Sequence, residues 1–86
     1  MINDRKKLYD YLIDNNYIKN DQNIPTYHNF DNFFSKYPIV VIINEQNILI
    51  KDITDNRKYI FENNQSIKII IGFLKYLEKT SEKILA

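Results

Sequence analysis

The chain has 86 residues, with 12 Lys+Arg against 11 Asp+Glu, one His and no Cys. That length is expected to form a single domain over 1–86 with one small core, burying roughly 60–65% of the surface its unfolded chain exposes. A formal charge of +1 excludes a strongly basic nucleic-acid protein, and the lack of Cys excludes a disulfide scaffold, a thiol nucleophile and any Cys-based metal site.

Ile (16), Asn (12), Lys (10) and Tyr (7) make up just over half of the chain. All four have A/T-rich codons, so the Asn richness reflects an AT-rich genome and calls for no functional reason. The longest apolar run, Ile39–Ile43, is five residues, against the ~20 that span a bilayer. The opening MINDRKKLYD has no apolar secretion-signal core. A cytoplasmic location without a membrane partner is the expectation.

In chain order, the first helix is capped by Asn3 or Asp4, with Leu8, Tyr11 and Leu12 at i, i+3, i+4 spacing. Asn15-Asn16 suits its left-handed end. Lys19 to His28 reads as a polar connection. Phe30, Phe33, Phe34 and Tyr37 then predict a short second helix, ended by Pro38. Ile39–Ile43, Ile48–Thr54 and Arg57–Glu62 predict three strands, with Ile43 facing Ile48 and Thr54 facing Arg57 across a two-residue Asp55-Asn56 turn. Period two puts Ile39, Val41, Ile43, Ile48, Ile50, Tyr59 and Phe61 on one face. Val40, Ile42, Leu49, Ile53 and Ile60 share the other with Lys51, Lys58 and Glu62. A long helix follows, capped by Asn64 or Ser66 and running to about Leu85, with Ile67, Ile70, Ile71, Leu74, Leu77 and Leu85 as its buried stripe. The expected fold is α+β: a three-stranded antiparallel β-meander with two N-terminal helices and one long C-terminal helix, ααβββα.

Catalysis is poorly provisioned. His28 in its polar loop, three residues before Asp31, is the whole histidine pool. Asp52, Thr54 and Asn56 alternate like a calcium loop, but Arg57 stands where that loop needs Gly. Gly72, the only glycine, lies within a helix, so no phosphate-cradling loop exists. No enzyme, catalytic residue, cofactor or metal is expected.

Three features point to binding. Lys68, Lys75, Lys79 and Lys83 form a stripe on the last helix that could meet phosphates, diluted by Glu78 and Glu82 three residues after a Lys. Tyr27, Tyr17 and Tyr59 could stack on bases. Apolar surface exceeds what one core needs: Val40 and Ile42 on the second sheet face, and Ile69, Phe73 and Tyr76 beyond the main stripe of the helix. Ile39–Ile43, as an end strand without charge, is open to edge pairing, whereas Arg57 and Lys58 guard the third strand. The leading expectation is a non-catalytic protein-interaction module, a phage or mobile-element inhibitor that binds a host protein or itself as a homodimer through those five residues. The alternative is a small nucleic-acid-binding protein using the lysine stripe.

Overall fold

The computed structural model describes residues 5–20, 23–29, 38–62 and 65–85, the last seven (79–85) by their backbone course alone. The order is α1 (Arg5–Asp14), β1 (Ile18–Asn20), β2 (Thr26–His28), β3 (Ile39–Ile43), β4 (Asn47–Asp52), β5 (Arg57–Glu62) and α2 (Ile67–Leu85). The five strands form one antiparallel sheet in chain order.

The α+β class therefore holds, but the three-stranded meander with three helices does not: the described residues form five strands and two helices. The helix expected over 30–37 lies outside the described residues. The polar connection Lys19–His28 contains a hairpin instead, with Ile18 opposite His28 and Tyr27 opposite Val41. Strand β3 is thus central, flanked by β2 and β4, and its uncharged edges are both occupied.

Local chemistry accounts for the element ends. Asn16 takes φ 64°, which Asn tolerates better than most side chains. The amides of Asn16 and Tyr17 then bond back to Ile13 and Leu12 at 3.1 and 2.9 Å, closing a Schellman-type end to α1. Ser66 caps α2: its Oγ accepts the Lys68 amide at 3.2 Å, and its carbonyl accepts those of Ile69 and Ile70. At the start of β3, Asn29 is buried and its Oδ1 accepts the Ile39 amide at 2.7 Å.

Ile43 pairs with Ile48 as expected. The next hairpin differs: Asp52, not Thr54, faces Arg57, and the turn takes four residues. Asp52 Oδ1 accepts the Asp55 amide at 3.1 Å and Asn56 sits at φ 55°, so side-chain capping supports a wider turn. The register slips by two, an even number, so the side chains of β4 and β5 keep their expected faces, while Ile53 and Thr54, expected in the strand, lie in the turn.

One core results. Leu8 and Leu12 of α1 and Ile67, Ile70, Leu74 and Leu77 of α2 cluster with Ile39, Val41, Ile43, Ile48 and Ile50. Both helices hence lie on the same sheet face. No helix among the described residues is long and apolar enough to cross a membrane. Gly72 is exposed within α2, and a Cβ there would meet nothing within 4 Å. Gly72→Ala should raise stability by about 0.5–1 kcal/mol, read as a higher urea midpoint.

Candidate interaction surface

The five apolar residues singled out in the sequence fall into two patches on opposite sides of the sheet. Ile69, Phe73 and Tyr76 follow one another at i, i+4, i+7 along α2. Ile69 is 56% and Tyr76 63% exposed. Phe73 is only half-exposed, because its ring meets Tyr59 edge-on with centroids 4.6 Å apart and lies 5.4 Å from Phe61. Tyr76 continues this row at 6.4 Å from Phe73. The stripe therefore sits beside β5, and Phe73 is its inner, packed member.

Val40 and Ile42 lie on the other sheet face, both half-buried. Register joins Ile42 to Leu49 and Leu49 to Ile60 in a row across β3, β4 and β5. Ile60 is 60% exposed. Beside this apolar row runs a second of His28, Val40, Lys51 and Lys58. Neither described helix covers this face. The two patches meet only at β5, where Tyr59 and Phe61 belong to one and Ile60 to the other.

The nucleic-acid residues fare differently. Lys68 and Lys75 are exposed, and Lys75 Nζ stands 5.8 Å from the Tyr11 ring centroid. The side chains of Lys79 and Lys83 lie outside the described residues. The three tyrosines expected to stack on bases do not form a shared exposed platform: Tyr17 and Tyr27 are both buried, at 4% exposure, and Tyr59 packs on Phe73. Tyr17 fills the turn after α1, and Tyr27 lies on the core face of β2, 5.9 Å from the Tyr9 ring.

Glu78, expected on the helix surface as a neighbour of Lys75, accepts two tyrosine hydroxyls. Tyr17 donates to Oε1 at 2.9 Å and Tyr11 to Oε2 at 2.9 Å. Burial first, and the neighbouring Glu78 carboxylate second, push both phenols well above the usual tyrosine range. The arrangement ties α1 and the β1 approach to α2. Sixty-odd residues separate the partners, so no local sequence signal could have found it.

His28 stands in strand β2, half-buried between Ile18 and Val40. Asp31, its sequence neighbour, lies outside the described residues. Asp52 is buried and closes its turn, and no group of three metal-ligating side chains occurs among the described residues. An open groove of about 570 Å³ separates α1 from the β3–β4 hairpin, with Arg5, Tyr9, Ile24, Asn44 and Asn47 on its walls. The Arg5 guanidinium donates across it to the Glu45 carbonyl at 2.8 Å. No protein-family model matches the chain, and neither does any curated protein or solved structure.

Proposed function

We propose that the chain is a non-catalytic protein-interaction module that docks through the apolar surface around β5. The supporting observation is the one-sided placement of α1 and α2. It leaves Val40, Ile42, Leu49 and Ile60 together on the other sheet face, while Ile69 and Tyr76 add exposed apolar area beside β5. Contiguous apolar surface of this kind marks protein contacts. The AT-rich coding bias favours a phage or mobile-element product whose partner is a host protein that it inhibits. Burial of Tyr17 and Tyr27 weakens the nucleic-acid alternative, which is left with its exposed lysines.

The test is affinity capture from an AT-rich bacterial lysate with the wild type, Tyr76→Asp and Lys75→Gln as baits. Apolar docking predicts capture that survives high salt and falls at least about tenfold, or 1.4 kcal/mol, in Tyr76→Asp. Retention on a polyanion that collapses with salt and weakens in Lys75→Gln would replace this reading by nucleic-acid binding.

A further inference from the structure

We propose that two copies of the chain join along the outer edge of β5, antiparallel about Ile60, into one sheet running through both. This rests on the reading of the chain as an interaction module and names a second copy as an occupant of its surface.

The direction of the main-chain groups follows from hydrogen bonds already in the sheet. Asn44 donates its amide to the Asn47 carbonyl at 2.9 Å, so Asn44 and Asn47 form a hydrogen-bonded pair. Such pairs alternate in an antiparallel ladder. Ile42 with Leu49 and Val40 with Lys51 are then bonded pairs as well. The Ile53 amide, donating to the Pro38 carbonyl at 3.2 Å, continues the same series. Ile48, Ile50 and Asp52 consequently face β5, where they engage Phe61, Tyr59 and Arg57. The amides and carbonyls of Lys58, Ile60 and Glu62 point outward. The Glu62 amide indeed meets Gln65 Oε1, 3.0 Å away and outside the sheet.

The three outward residues also share the open face with their side chains, and their order is self-complementary. Antiparallel pairing about Ile60 sets Ile60 against Ile60, and Lys58 of each copy against Glu62 of the other. On the helix side it sets Tyr59 against Phe61, extending the aromatic row that Phe73 and Tyr76 continue. Within one copy Lys58 already stands directly opposite Lys51, a like-charged neighbour that disfavours the pair. Glu62 of the second copy completes that row with the missing charge. The Lys58 carbonyl of the second copy takes the place of Gln65 Oε1, and its amide shares the Glu62 carbonyl, which already accepts the Gln65 amide at 3.1 Å. Slipping by two residues sets Lys58 or Glu62 against Ile60, and parallel pairing sets like charge against like.

The charges at Lys58 and Glu62 thus select one register rather than block the edge. Strand β1, the other edge, is three residues long. Its outward main-chain groups belong to Lys19, whose charge on the helix face guards that side.

Sedimentation of the full chain over a concentration series, with circular dichroism as the check on folding, tests the pairing. Wild type should dimerise. Lys58→Glu and Glu62→Lys, both at exposed positions, should each stay folded and dissociate at least about tenfold more readily, since each carries two repulsive pairs per dimer. Mixed in equal amounts, the two variants should restore a dimer, because each then meets its opposite charge at both ends. A wild-type monomer throughout the series overturns the proposal. So does a wild-type dimer that both variants retain, since another surface then holds it, and so do variants that remain monomers when mixed, since Lys58 and Glu62 then do not face each other. Capture of a partner that depends on Tyr76 would survive any of these failures, which separates this inference from the broader reading.

Discussion

Phe73→Asp should unfold a large fraction of the protein, lowering stability by about 3 kcal/mol or more, whereas Tyr76→Asp should change it by less than about 1 kcal/mol. In the sequence both residues belong to the same surplus apolar arc of the last helix. The structure separates them: the Phe73 ring closes the gap between α2 and β5 against Tyr59 and Phe61, while Tyr76 is 63% exposed. A carboxylate at Phe73 would give up those aromatic contacts and place a charge among three rings. A chain of this length has little stability in reserve, so that loss is decisive. Urea midpoints followed by circular dichroism measure both variants. Equal midpoints would show that Phe73 is surface and that the aromatic cluster does not form.

The parts of the fold that could be read from the sequence are those where a short period meets a buried face. Strands β3 and β4 alternate core and partly exposed residues without a break, from Ile39 to Ile43 and from Asn47 to Asp52. That alternation fixes the faces even though the turn before Arg57 is wider than its residues suggested. Most of the α2 stripe was equally readable: Ile67, Ile70, Leu74 and Leu77 are buried and Ile71 is half-buried, while the Leu85 side chain lies outside the described residues. Strands β1 and β2 were not. IKN and TYH are too short to show a period, and four of their six residues are polar. They are strands because β3 offers its edge and Tyr27 has a core to enter, both tertiary effects. The same cause explains the site. Exposure of Ile69 and Tyr76 was visible as excess apolar arc, but their position beside an edge strand depends on that strand order. With β3 made central, the open edge moved from an uncharged strand to a charged one, and the charges became informative about what pairs there.

Replacing Glu78 by Leu should lower stability by about 2–4 kcal/mol at neutral pH, more than removal of an ordinary surface carboxylate. Glu78 accepts the hydroxyls of both Tyr11 and Tyr17, and bonds to a charged acceptor contribute about 1.5–3 kcal/mol each. Leu would leave the buried Tyr17 hydroxyl without its acceptor. The same contacts fix the response to alkali. Tyrosines in the unfolded chain lose their protons near pH 10, while burial and Glu78 hold the folded Tyr11 and Tyr17 protonated well above it. Below about pH 10 both states carry the phenolic protons, and the full contribution is present. As pH rises through that value only the folded state keeps them, so stability falls by up to about 1.4 kcal/mol per pH unit for each tyrosine. Tyr17→Phe separates the two effects. It should cost about 1.5–3 kcal/mol at neutral pH through the lost hydrogen bond, yet flatten the alkaline slope by up to about one proton. Urea midpoints for wild type and Tyr17→Phe at about pH 7, 10 and 11 measure both quantities. Parallel slopes would mean that Tyr17 ionises as freely in the folded chain as in the unfolded one, and that Glu78 does not hold α1 to α2 in this way.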